Sequence, residues 1–147
     1  MAPERHVEDL RLIDTYFDQA PYDAELAGLP GAYARPGGRL LLALHDGEPV
    51  GCVALKQVDA TACEMKRMFV RPRSHGDGVG RALAQALVGK ARASGYATMW
   101  LDTSVRQTEA QALYRSLGFE PADPYYDLAP DPAAWLVFLR KDLARTV

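Results

Sequence analysis

The stretch "FVRPRSHGDGVGRALAQAL", Phe69 to Leu87, carries glycines at three alternate positions, Gly76, Gly78 and Gly80, directly ahead of an unbroken helix-forming run. A strand that enters a helix through such a loop offers a row of backbone N–H groups, because the first four of any helix lack intrahelical partners. The helix start adds roughly half a positive charge, and glycine lets an anion approach with no Cβ in the way. The chemistry on offer is a phosphate cradle. One favourable helix-end contact is worth about 0.3 to 1 kcal/mol, up to about 2 where partly buried, so useful affinity needs several N–H groups together. The same glycines also fit a tight turn that requires positive φ.

The kind of phosphate is narrowed by exclusion. A Walker A loop needs Lys and then Ser or Thr after its last glycine, whereas Gly80 is followed by Arg81 and Ala82. A dinucleotide fingerprint needs GxGxxG after a buried apolar strand, whereas this loop reads "GDGVG" and the preceding "CEMKRMFV" holds three charges. Nucleotide hydrolysis and Rossmann-type binding are both disfavoured.

The elements that must position this loop follow from periodicity. "RLLLALHDGEPVGCVALKQV" reads as two strands joined by a turn at Asp46 and Gly47, and a further strand covers about Ala62 to Val70. A helix begins near Gly78 and stops at Gly95; "YATMWLDTSV" supplies another strand. "QTEAQALYRSLGF" is a short helix closed by Gly118, and "AAWLVFLRKDL" a terminal strand. Upstream, Val7, Leu10, Ile13, Phe17 and Ala20 recur at helical spacing, which predicts a first helix ending near Pro21 and leaves no strand evident before it. A short second helix is expected around Asp23 to Ala27. Helices alternating with strands, one pair of them a hairpin, predict a three-layer mixed α/β fold. In the third strand, Cys63 and Met65 lie on one phase and Met68 and Val70 on the other, with Lys66 and Arg67 at the break. A β-bulge explains the slip, and two-sided burial of Phe69 would explain part of it.

At 147 residues with no internal repeat, the chain is expected to be one domain over 1–147, burying roughly 70% of the surface of its unfolded state. A net charge of −2 gives no global attraction to nucleic acid or to an acidic membrane. The local basic group is Lys66, Arg67, Arg71, Arg73 and Arg81, with Asp77 among them; it would suit a nucleic-acid binder only if aromatic side chains accompanied it. Cys52 and Cys63 form no CxxC pair and read as buried small hydrophobes in a reducing compartment. A charged start and the lack of a long apolar span predict a cytoplasmic protein with no membrane or nucleic-acid partner and no metal.

These residues resemble the GNAT superfamily of acyl-CoA N-acyltransferases. "VRPRSHGDGVGRAL" is similar to its acyl-CoA-binding signature, and "AQALYRSLGF" to a second signature in which Leu-Tyr precedes Gly-Phe by three residues. The two occur in the expected order, and the likeness runs from about Arg39 to Phe138. It extends to a bacterial subgroup with "CEMKR" before the loop and "YY" after the last helix.

The resemblance implies a mostly antiparallel central sheet in which the strand before the loop splays from the strand after the helix. The pantetheine arm of acetyl-CoA would fill that gap, with Met68, Phe69 and Val70 beside it. His75, Gly76, Asp77, Gly78, Val79, Gly80 and Arg81 would hold its pyrophosphate. His75 stands where the family usually has Arg or Gln, and Asp77 puts a carboxylate among amides meant for an anion. By the same alignment Glu64 falls at the position of a general-base Glu, and Tyr114 at that of the tyrosine that protonates the leaving thiolate. An alkylammonium acceptor titrates near pH 10.4 and so needs such a base. The acceptor side would draw on Tyr33, Tyr125 and Tyr126, with Asp123, Asp127 and Asp131 nearby, an aromatic and acidic rim suited to a cation. The implied activity is direct, metal-free transfer of an acetyl group to a primary amine of a small molecule or peptide; a homodimer is an allowed assembly. The alternative is an acyl-CoA-binding sensor that keeps the cradle without useful turnover.

Overall fold

A computed structural model of the protein describes residues 10–14, 33, 36–127 and 135–144. Seven strands form one sheet in the order β1-β2-β3-β4-β5-β7-β6. They are β1 (Leu10–Asp14), β2 (Arg39–His45), β3 (Glu48–Gln57), β4 (Ala62–Val70), β5 (Thr98–Ser104), β6 (Glu120–Pro121) and β7 (Leu136–Asp142), with helices α1 (Val79–Ala93) and α2 (Thr108–Ser116). Every neighbouring pair is antiparallel except β4 and β5, which are parallel because α1 carries the chain back between them.

The hairpin expected at Asp46 and Gly47 is present, with φ of 53° and 79° at its two central residues, the left-handed pair that matches the twist of the flanking strands. Helix α1 buries Val79, Leu83, Ala84, Leu87, Val88 and Ala91, a single stripe at helical spacing. That stripe packs on Leu41, Val50, Val53, Leu55, Cys63, Met65, Met99, Leu101 and Leu139, which form one face of the sheet. Each such side chain contributes about 1.5 to 3 kcal/mol. Gly95, at φ 89°, ends α1, and Gly118, at φ 94°, ends α2.

Of the expected first helix, Leu10–Asp14 is corrected to a strand, and the rest lies outside the described residues. Leu10–Asp14 pairs antiparallel with β2, from Leu10 opposite His45 to Asp14 opposite Leu41. The helical spacing of apolar residues was outweighed by the open edge of β2, whose backbone groups are satisfied by an adjacent strand and not by an adjacent helix. The short strand β6 was also missed; two residues ending in proline give no alternation to read. The helix expected around 23–27 lies outside the described residues, as does most of the chain available for a layer opposite α1 and α2.

The bulge in β4 is present. Cys52 pairs with Phe69 and Ala54 with Lys66, so two residues of β4, Arg67 and Met68, oppose Val53 alone. Arg67 takes the strain, with φ at 58°. Two-sided burial of Phe69 is ruled out, because that side chain is 57% exposed.

Gly51 sits where α1 comes closest to β3: a Cβ there would lie 2.8 Å from the Phe69 carbonyl oxygen, with Leu83 and Val79 also within 3.2 Å. Backbone cannot give way as a side chain can. Gly51→Ala is therefore expected to destabilise the protein by about 1 to 3 kcal/mol, read as a lower denaturant midpoint at unchanged slope.

Candidate active site

Strands β4 and β5 pair only at Ala62 with Thr98, Cys63 with Met99 and Glu64 with Trp100. Past that point they part. Strand β5 stays paired with β7 along its whole length, from Thr98 to Ser104. Strand β4 stays with β3 as far as Val70 and bends at its bulge. The gap is a cavity of about 220 Å³ lined by the β4 segment 65–68, by Leu101, Asp102 and Thr103 of β5, and by Gln107 and Tyr114.

At the far end of β4 the chain makes a 3-10 turn (Pro72–Ser74) and enters the glycine loop. Gly76 and Gly78 hold φ of 83° and 81°, so the turn does require positive φ, and Gly78 is also the residue that caps α1. The N–H groups of His75 and Asp77 are used inside the loop, on Pro72 and Ser74 carbonyls at 3.1 and 3.2 Å. The first bond of α1 runs from the Ala82 N–H to the Gly78 carbonyl. The N–H groups of Gly76, Gly78, Val79, Gly80 and Arg81 have no partner among the described residues. His75 turns back on the strand, its Nε2 lying 2.8 Å from the Val70 carbonyl, where it donates. Arg81 donates to the Ser116 hydroxyl at 2.9 Å, Arg73 pairs with Glu48 at 3.4 Å, and Arg71 is exposed.

Tyr114 is buried at the cavity wall, edge-on to Phe119 with ring centres 5.9 Å apart. Its hydroxyl has no hydrogen-bond partner among the described residues, and burial pushes its pKa up to about 12.

Glu64 is only 4% exposed, a rare state for a carboxylate without partners. It has two: the Tyr125 hydroxyl donates to Oε2, and Lys66 Nζ lies 3.7 Å from Oε1. One strand over, the Tyr126 hydroxyl donates to Asp102 Oδ2 at 2.6 Å. Burial, and then the bond to Glu64, holds the Tyr125 phenol well above the ordinary range; desolvation and the bond to Asp102 do the same for Tyr126. Tyr125 stacks on Trp100 with ring centres 5.2 Å apart, and Phe138 meets both tyrosines edge-on. The Arg140 guanidinium lies over the other side of this cluster, 5.3 Å from the Trp100 ring centre.

The structure thus brings Glu64, Tyr125 and Tyr126 together and puts Tyr114 on the neighbouring cavity. The tyrosine hydroxyls are committed to protein carboxylates, so what the pair presents beyond them is ring surface. Tyr33 is half-buried and takes no part in these ring contacts; Asp123 and Asp127 are exposed, and Asp131 lies outside the described residues. Sequence reasoning missed Trp100, Asp102 and Arg140, and read Lys66 and Arg67 as a break in phase and as members of a local basic group. Strand alternation was the available signal for Trp100 and Asp102, both on the face opposite Met99 and Leu101.

The cysteines carry none of this. Cys63 is fully buried, with its pKa raised by burial to about 12, and Cys52 is half-buried against the Arg67 carbonyl at 3.3 Å. No group of metal-ligating side chains occurs among the described residues, and no described helix is long and apolar enough to cross a membrane.

Comparison with known proteins agrees with this architecture. A family model for GNAT acetyltransferases matches residues 5–119. An IAA acetyltransferase of Azospirillum brasilense is 38% identical over 111 residues, covering 75% of this chain and 71% of its own. An uncharacterised N-acetyltransferase of Schizosaccharomyces pombe is 35% identical over 84% of this chain and 75% of its own. A Klebsiella pneumoniae protein assigned as an acyl-CoA N-acyltransferase superposes with a TM-score of 0.73 at 30% identity, over 91% of this chain and 97% of the other. A GNAT acetyltransferase of Elizabethkingia anophelis, solved with acetyl-CoA bound, shares the fold at a TM-score of 0.68 and 22% identity, over 92% and 99%. With a parted sheet, an anion-ready helix start and a family model spanning most of its length, the chain belongs to the GNAT family of acetyltransferases.

Proposed function

We propose that the chain, as one domain over 1–147, moves the acetyl group of acetyl-CoA directly onto a primary amine of a small molecule or peptide. The observation that carries this reading is that β4, unpaired with β5 from just past Glu64, borders the cavity that holds Tyr114 and leads through the glycine loop to the unpartnered N–H groups at the start of α1.

The fit to acetyl-CoA rests on three features. Five N–H groups at Gly76, Gly78, Val79, Gly80 and Arg81 would receive the pyrophosphate. No Cβ stands in front of them: even one added at Gly78 would find nothing within 4 Å, so the loop is open. Met68, Phe69 and Val70 lie on the stretch of β4 that has lost its β5 partner, where an amide-bearing arm can take the missing strand's place. His75, bonded to Val70, braces the loop against that strand. Asp77 is the unfavourable charge, and Arg71 and Arg81 offset it.

Bound acetyl-CoA supplies an acyl carbon activated as a thioester. Glu64 takes the proton of the incoming ammonium, directly or through water, and Tyr125 holds its Oε2 in place for that task. As the new N–C bond forms and the C–S bond breaks, Tyr114 donates a hydrogen bond to the departing sulfur, and the second proton of the nitrogen passes to water. A phenol held near 12 remains protonated at neutral pH and so serves the sulfur as a hydrogen-bond donor, while a thiol pKa near 8.5 lets the sulfur leave as a thiolate without full protonation. The wall of Trp100, Tyr125 and Tyr126 orients the amine, and holding both reactants in one cleft supplies much of the acceleration.

Release of free thiol from acetyl-CoA across a panel of amines tests the reading. Glu64→Gln is expected to lower kcat/KM by about 10²-fold or more and Tyr114→Phe by about 10-fold, both with calorimetric CoA affinity near wild type. Binding without release for every amine would sink the reading in favour of an acyl-CoA sensor.

Tyr114 also sets a pH dependence. Its folded pKa of about 12 stands above the unfolded value of 10.0, so its neutral form stabilises the fold fully below pH 10. That contribution, on the order of 2 kcal/mol, is lost as pH rises from about 10 to 12. Denaturant titrations over this window should therefore show a shallower fall in stability for Tyr114→Phe than for wild type. Equal slopes would refute a raised Tyr114 pKa.

A further inference from the structure

The cavity between β4 and β5 has walls of opposite sign. On the β4 side stand Lys66 and Arg67; on the β5 side stands Asp102. Lys66 is already balanced, by Glu64 at 3.7 Å. Arg67 is not: its guanidinium is exposed and, like those of Arg71 and Arg115, has no hydrogen bond or ion pair with any described residue, and of these three only Arg67 lines the cavity. Across the cavity, Asp102 receives the Tyr126 hydroxyl on Oδ2, and Oδ1 has no partner among the described residues.

Backbone geometry makes the choice of Arg67 harder to dismiss. The bulge needs one residue at positive φ, and Arg67 occupies that position at 58°. Glycine would hold the same turn with less strain, and it is the usual solution at such a bulge. The bulge therefore explains the conformation but not the long cation placed on it. A strained residue beside a cleft is a common sign of a side chain kept for its function.

Resting on the acyl-transfer reading above, we propose that the acceptor is a small zwitterion, an amine that also carries a carboxylate, and that Arg67 grips the carboxylate. A guanidinium offers two parallel N–H groups that match a planar carboxylate, which a lysine cannot do. The ammonium end then lies toward Asp102 and Glu64, the two carboxylates that share the face of Trp100 and the paired tyrosines. A diamine would instead bring its second cation against Arg67.

The test is thiol release by the full chain saturated with acetyl-CoA, on a matched set: a series of amino acids, their methyl esters, the same amines with the carboxylate replaced by hydrogen, and aliphatic diamines. The best acid should exceed its ester by about 10-fold or more in kcat/KM. Arg67→Gly should raise KM for that acid by a similar factor, more than it lowers kcat, and should erase the preference for acid over ester. Because it relaxes a positive φ, it should keep or raise Tm, so a loss cannot be assigned to unfolding. Calorimetry of the same acids into the CoA-saturated protein reads the Arg67 dependence without turnover. Esters or diamines that match or exceed every acid overturn the proposal, as does an acid whose KM and calorimetric Kd are untouched by Arg67→Gly. If no amine releases thiol, the acyl-transfer reading falls, and the calorimetric comparison still decides whether a carboxylate binds through Arg67.

Discussion

Two parallel strands that pair at three positions and then separate are an unusual liability, because every backbone group past the fork must find another partner. The divergence has a simple mechanical origin. Strand β5 follows β7 through seven consecutive pairs, while β4 follows β3 and is bent by its bulge, so each is held by its outer neighbour and neither can follow the other. The antiparallel ladders win over the parallel one because they are longer. The cleft is thus a consequence of register. What it leaves is a strand edge inside the molecule, shielded from other chains, which is where an extended amide-bearing arm can be received without inviting aggregation.

The two faces of the sheet divide the labour. The α1 face is apolar and close-packed, with Cys63, Met65, Met99 and Leu101 pointing into it. The opposite face carries Glu64, Trp100 and Asp102 on the intervening positions. Alternation along β4 and β5 therefore puts buried carboxylates one residue away from the core without letting them enter it. Burial of Glu64 and partial burial of Asp102 would be costly for bare ions, and each is offset by a phenol from the same dipeptide, Tyr125 and Tyr126. Adjacent residues on an irregular segment can reach two strands at once, which a pair on a regular strand could not. The aromatic stack of Trp100, Tyr125 and Phe138 fixes that segment in turn.

Much of this was legible from the residues. The hairpin at Asp46 and Gly47, strands β3 through β5, both helices with their glycine stops, the terminal strand and the bulge near Arg67 all left local signals: turn chemistry, a period of 2 or 3.6, a slip in phase. The first strand did not, since Leu10–Asp14 is five residues whose conformation is imposed by β2 and whose apolar spacing fits a helix equally well. The same division holds for the site. Gly76, Gly78 and Gly80 announce themselves because the backbone they permit is a local property, and Glu64 and Tyr114 are reached through the family's motifs. Asp102, Trp100 and Arg140 have no local mark; they matter only because β5 and β7 lie beside β4, a fact of topology. The bonds from Tyr125 and Tyr126 to carboxylates 61 and 24 residues away are likewise tertiary.

The glycine loop shows how a departure from a pattern can be absorbed. Asp77 puts a carboxylate into the loop proposed to meet an anion, yet its own N–H is spent on the Ser74 carbonyl and so is not one of the unpartnered donors. His75, in place of a longer polar side chain, is likewise withdrawn: its N–H serves Pro72 and its ring serves Val70. The outward donors come from the glycines and from the first turn of α1, residues whose N–H groups are free by the geometry of a helix start and not by choice of side chain. The residues at 75 and 77 therefore act on the loop's bracing and on the charge near it, and not as outward donors. A charge beside the loop acts through partly screened Coulomb forces over about 8 Å in physiological salt. The directed N–H groups act at hydrogen-bond distance. Positive φ at Gly76 and Gly78, more than any side chain of the loop, is what the cradle cannot lose.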